Sequence, residues 1–353
     1  MNHRSLAPLS VLGLAILMLA VAATVPLSGQ AQGAAKREAV TKKWTPPRTA
    51  DGHPDLQGVW ANNNATPLER PKELAGKPLL NEAEVAALKA KAAALFSGDG
   101  DAAFGDDVFT AIATGAKQFT SSDRTTGNYN QFWIADRDFD NRTSLITEPA
   151  DGRLPPLTPE AQTRRAGANL DRSQRGTNGP EDRTLSERCI TFGAPRLQPA
   201  YNSYVQIFQT RDTVAIAMET IHDARIVPLD GRAHVGSNLR QWLGDSVGHW
   251  EGDTLVIDTT NYSPKSDFRG AHENLHVVER LTRVSPTRVD YEIRVDDPST
   301  WTRPWAAMIP LKLAHEEIYE YACHEGNEGL AGILAGAREQ EKAAAEAAKT
   351  NPR

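Results

Sequence analysis

The sequence predicts a mainly β protein, an antiparallel meander forming a curved sheet or lipocalin-like barrel, with peripheral N-terminal helices and a C-terminal helix. Three observations carry this. About nine short apolar or alternating runs follow one another after residue 199, joined by short connections that suit antiparallel neighbours. Val289, Tyr291, Ile293 and Val295 alternate with Asp290, Glu292, Arg294 and Asp296, the two-residue beat of a strand with one covered face. The stretch from Trp242 to Asn261, WLGDSVGHWEGDTLVIDTTN, reads as two strands folded on Glu251-Gly252-Asp253, because β-branched residues fill its second arm and a glycine sits where the chain reverses. A long meander must hide its edges, and curling into a barrel does so.

Taken in order, the chain opens with Arg4 and an uncharged apolar run over 6–27, then Ser28-Gly29-Gln30-Ala31, the pattern of a signal peptide over residues 1–31. The run is also long enough for an uncleaved anchor. Residues 32–54, polar and with Pro46-Pro47, read as a flexible tether. A helix- and loop-rich part follows over 55–198. Residues 55–60 are its first strand candidate, and Asn81 with Glu84 marks a capped helix to about residue 96, with Val85, Leu88, Ala92 and Leu95 as its apolar stripe. Residues 97–130 lack a sustained period and read as a long loop or lid. Short strands are expected over 131–134 and 144–147, a helix starting at Thr158-Pro159, and a capped turn at Thr184 and Glu187. The barrel or curved sheet spans 199–327, with strands over 203–209, 213–221, 224–229, the hairpin, 275–284, 288–295, 307–313 and 317–323. Residues 328–353 are Ala- and Glu-rich and form a helix, packed at its start through Leu330, Ile333 and Leu334, with a frayed tail.

Composition narrows the function. A formal net charge of -6 over 353 residues argues against nucleic acid, which selects clustered Lys and Arg. The partner expected is a small organic ligand, and no stable membrane span remains once the signal is cleaved. Localisation is expected to be exported, periplasmic or extracellular, where Cys189 and Cys323 can form one disulfide. Nothing in the sequence sets an oligomeric state.

Several strings carry a resemblance: DGHPDLQGVW from Asp51, WLGDSVGHWEGDTLVIDTTNY from Trp242, HVVERLTRV from His276, DDPSTWTRPW from Asp296 and YEYACHEGN from Tyr319. Together they are similar to a family of uncharacterised secreted bacterial proteins. The likeness spans most of the mature chain and implies export, with no catalytic residue to carry over.

Chemistry has five candidate locations. His272-Glu273-Asn274-Leu275-His276 satisfies H-E-x-x-H, which on a helix would bind zinc and let Glu273 activate water. The β-branched run that follows favours extended backbone, so no cofactor is expected and zinc stays an alternative, as a zinc hydrolase. Asp258, Glu279, Glu219 and Arg225 share predicted strand faces with apolar residues; inside a barrel they suit general acid–base work, with Asp258 or Glu279 as base, His276 or His324 as proton donor and Arg225 steadying negative charge. This makes an acid–base enzyme (isomerase, lyase or hydrolase type) the leading function, and a non-catalytic carrier the alternative. Cys323-His324 suggests a thiolate, but neighbours on a strand point apart, and a bridge to Cys189 suits that sulfur better. Trp250, Trp301, Trp305 and Tyr321 are candidate ligand-binding aromatics. Gly244-Asp245-Ser246-Val247-Gly248 fits G-x-S-x-G but lacks the strand–turn–helix frame of a nucleophile elbow, and no nucleotide-binding motif occurs.

Overall fold

In the computed structural model, which describes residues 44–95, 109, 112, 137–169, 177–193, 195–197 and 202–350, strand alternation builds one ten-stranded sheet. Its strands are β1 (Gly58–Ala61), β2 (Ile146–Glu148), β3 (Tyr204–Gln209), β4 (Thr213–Met218), β5 (Ala224–Pro228), β6 (Asp245–Glu251), β7 (Thr254–Thr260), β8 (His276–Ser285), β9 (Arg288–Asp296) and β10 (Trp305–Leu313). All hydrogen-bonded neighbours are antiparallel. The path runs β5-β4-β3-β1-β10-β9-β8-β7-β6, with β2 paired separately to β10. Because β1 joins β3 to β10, the strands follow sequence order around the curve, and the two path ends, β5 and β6, lie side by side. The predicted meander is therefore a nearly closed barrel.

The seam between β5 and β6 has a geometric cause. Nine strands joined only by antiparallel steps leave the first and last running in the same direction, and no ladder links them. Strands aligned in parallel need a long crossover rather than a tight turn, and the 229–244 connection supplies it. Gly248 lets the edges approach: a Cβ there would lie 2.8 Å from the Val227 and Leu229 side chains.

The inner face of the sheet is apolar and buried. Leu255, Ile257, Val277, Leu281, Val289, Ile293, Val295, Trp305, Ala307 and Ile309 form one buried cluster with Trp60, Ile207 and Val214. Removing this apolar surface from water is the main drive for closing the sheet.

Among the described residues, α1 (Glu82–Leu95), α2 (Pro159–Asn169) and α3 (Glu328–Thr350) are α-helices. The α1 start is a reciprocal capping box, Glu84 N–H donating to Asn81 Oδ1 and Asn81 N–H to Glu84 Oε2, each at 2.9 Å. Of its expected stripe, Ala92 is buried, and Leu88 and Leu95 pack against it with Ala65 and Ile112. Thr158 caps α2 through Ala161 N–H. In α3, Leu330 and Leu334 are half-covered whereas Ile333 is exposed. Among the described residues no helix is long and apolar enough to cross a membrane.

Two expectations need correction. Residues 317–322 are not a strand. Both edges of β10 are already taken, so no edge beside it can receive another strand, and the segment instead runs past the barrel end, with Tyr319 N–H donating to Glu219. Residues 44–54 are no loose tether: Arg48 pairs with Asp253, and His53 stacks on Trp250 at 4.7 Å. The expected signal peptide and the 131–134 strand lie outside the described residues, as does the 97–130 loop except for the buried Phe109 and Ile112.

Candidate functional site

Pleating at the seam brings polar side chains of five strands, β5 to β9, together inside the barrel. Arg225 projects inward from β5 and meets both oxygens of Glu279 on β8, Nη1 to Oε1 at 2.8 Å and Nη2 to Oε2 at 2.5 Å. Its Nη2 also donates to Ser246 of β6 at 3.2 Å and Thr259 of β7 at 3.3 Å, and those two hydroxyls share a 2.9 Å bond. Tyr291 of β9 donates to Glu279 Oε1 at 2.5 Å. Arg225 and Glu279 are 7% and 1% exposed, so neither charge has water to fall back on. Burial alone would disfavour the guanidinium charge, but the Glu279 carboxylate outweighs it and holds Arg225 protonated. Burial, then the same carboxylate, pushes the Tyr291 hydroxyl well above its ordinary range. The seam is thus closed by side-chain hydrogen bonds where backbone ones are missing.

Beside this cluster lies a cavity of about 650 Å3 including its mouth. Val205, Ile207, Ile216, Met218, Leu281 and Leu311 form apolar walls, Arg225, Glu279 and Tyr291 a polar patch, and Asn62, Arg196, Asn202 and Thr220 further polar lining. Asn62 Oδ1 is buried without a hydrogen-bond partner among the described residues, and such an atom is costly unless something binds it. Neither Asn62 nor Arg196 stands out in the sequence; only their convergence on one cavity marks them.

Asp258 takes a different place from the one expected. Leu255, Ile257 and Thr259 face inward, so Asp258 faces outward, opposite Glu279 across the sheet. The premise that both carboxylates line the interior fails for Asp258, and they are not interchangeable bases of one site. On the outer surface Asp258 Oδ2 meets His276 Nε2 at 2.9 Å and Oδ1 meets His234 Nε2 at 3.0 Å, while His234 Nδ1 meets Asp245 Oδ2 at 2.8 Å. The hydrogen bond from His276 holds Asp258 below its usual range, and the reciprocal bond raises His276. His234, not singled out in the sequence, pins the crossover to this hairpin. Its only cue was its place in the polar connector before the hairpin.

The remaining candidates disperse. Residues 272–275 form a turn and β8 begins at His276, so the helix that would let His272 and His276 share zinc, with Glu273 activating water, is absent. No group of three metal-ligating side chains forms among the described residues. Ser246 lies within β6, hydrogen-bonded to Thr259, with His249 exposed, which is no nucleophile elbow. Trp301 and Trp305 are 2% and 0% exposed and meet edge to face at 5.6 Å, filling core rather than walling the cavity. Trp250 stacks on His53. Glu219 is buried at the end of β4, where loss of water raises its carboxyl. His324 is exposed in the turn before α3, away from the strands that hold Asp258 and Glu279. Cys323 is bridged to Cys189, with Cα atoms 5.6 Å apart. Tyr321 meets Phe192 edge to face at 6.3 Å, and Phe192 in turn carries Arg196 over its ring. Comparison with protein-family models, with curated proteins and with solved structures returned no match.

Proposed function

We propose that the barrel binds one small, partly apolar organic molecule in the cavity between β3, β4, β8 and β9. The observation that carries this is the lining itself: apolar walls meeting a few convergent polar groups, one of them a buried acceptor without a partner, which is the general make-up of small-molecule sites. The carrier version is favoured over catalysis. Both oxygens of Glu279 are already engaged by Arg225, and Tyr291 adds a further bond, so this carboxylate is committed to the seam. The bridge between Cys189 and Cys323 supports export to an oxidising compartment, as does the apolar N-terminal run.

Mass spectrometry of an organic extract from the purified mature protein tests the reading. A single co-purifying compound is expected at near-equimolar yield, and Ile216→Phe, which fills the wall, should release it. A clean extract, together with no thermal stabilisation by any member of a small-fragment panel, would remove the proposal.

A further inference from the structure

The two arginines lining the cavity are differently balanced. Arg225 is neutralised by Glu279. Arg196 forms no ion pair with any carboxylate among the described residues, although most of its surface is covered. It donates to Thr220 Oγ1 and lies 5.3 Å from the Phe192 ring centroid. Thr220 passes its own proton to Asn202 O at 2.8 Å, so that hydroxyl is used on both sides. Asp223 steadies the charge only from beyond ion-pair distance, and its Oδ2 already accepts from Thr191 at 2.7 Å. The other acid of this barrel end, Glu219, accepts from Tyr319 N–H and is not part of the cavity lining.

We infer that the cavity selects an apolar monocarboxylate, its hydrocarbon body against Val205, Ile207, Ile216, Met218 and Leu281 and its carboxylate on the guanidinium of Arg196. A partly dehydrated cation with free N–H groups gains most from a ligand that is both anionic and a double acceptor. A neutral ligand would leave the Arg196 charge as costly as before, and a cationic one would be repelled. Size is limited too: much of the 650 Å3 belongs to the open mouth, so one ring or a short chain fits. Loss of water lowers the proton affinity of Arg196, consistent with a cation waiting for its counter-charge.

This inference rests on the cavity being a binding site, and the experiment separates the two. Isothermal titration of the mature protein compares benzoate with benzyl alcohol and benzylamine, and hexanoate with 1-hexanol and hexylamine. Carboxylates should bind about tenfold or more tightly than the matched alcohols, the value of one charge-assisted contact, and the amines least well. Arg196→Gln should level carboxylate with alcohol, and Arg196→Lys should keep part of the preference. Equal affinities on the unaltered protein, or a preference that survives Arg196→Gln, overturns the carboxylate assignment; if Ile216→Phe still abolishes alcohol binding, the cavity reading stands. Absence of binding by all six probes overturns both. Should circular dichroism show Arg196→Gln unfolded, the carboxylate-to-alcohol ratio on the unaltered protein and on Arg196→Lys decides.

Discussion

At the junction of β7 and β8, Ile257 faces Glu279 and Asp258 faces Val278, so a shift of one residue sends one carboxylate inward and the other outward. Their environments then diverge. Glu279 is bound to a buried guanidinium, and Glu279→Gln leaves Arg225 charged and unpaired; we expect a loss of about 3–5 kcal/mol in urea unfolding. The double variant Arg225→Met, Glu279→Leu should cost less than the single one, because it removes both charges. Asp258 obeys a different rule, since the pair it makes with His276 is partly open to water. Its depressed carboxyl contributes stability above the ordinary 3.8 that is lost as pH falls through the lower folded value. The raised imidazole of His276 contributes below the ordinary 6.5 and is lost as pH rises through the higher folded value. Unfolding free energies of the unaltered protein and His276→Gln in urea should therefore differ most between about pH 4 and 6.5 and converge on either side, the gap staying within about 1 kcal/mol because solvent screens exposed pairs. His234, Asp245 and Asp296 share this surface and are unchanged in the variant.

Among the elements, the seam between β5 and β6 is where the barrel is weakest, because side chains replace a ladder there. Gly248→Val would drive two methyl groups into Val227 and Leu229, already 2.8 Å from a Cβ at that position. Overpacking of this kind costs about 1–3 kcal/mol, and the opened edge should speed hydrogen exchange in β5 and β6 while β8, β9 and β10 stay protected. The same substitution at Gly252, in the β6–β7 turn, meets no neighbour within 4 Å. Its cost would come from the backbone alone, where φ is +60°.

For the molecule as a whole, the Cys189–Cys323 bridge ties the loop beside Arg196 to the segment that leads into α3 across a sequence separation of 134. Cys189→Ser with Cys323→Ser should lower unfolding free energy by about 2–5 kcal/mol, and a reducing agent should shift the thermal midpoint of the unaltered protein equally and that of the variant not at all. The fold was legible in the sequence because strand alternation and turn glycines are local: the hairpin, the β8–β9 pair and the Asn81–Glu84 cap all rest on residue types at short spacing, whereas a count of two cysteines only allowed a bridge. Much less of the site was legible. Arg225 and Glu279 stood out as ionisable groups on apolar faces, but that they belong to one cluster, and Asp258 to another, depends on which face of β7 curls inward. Arg196 carried no local signal, since an arginine after a proline resembles any surface charge until the cavity forms beside it. By itself the sequence determined a meander of antiparallel strands, because backbone pleat and turn chemistry act between near neighbours. Only the tertiary structure decided the seam, the inward face and the unbalanced cation, because an odd strand number and long-range burial are properties of the closed barrel rather than of any segment in it.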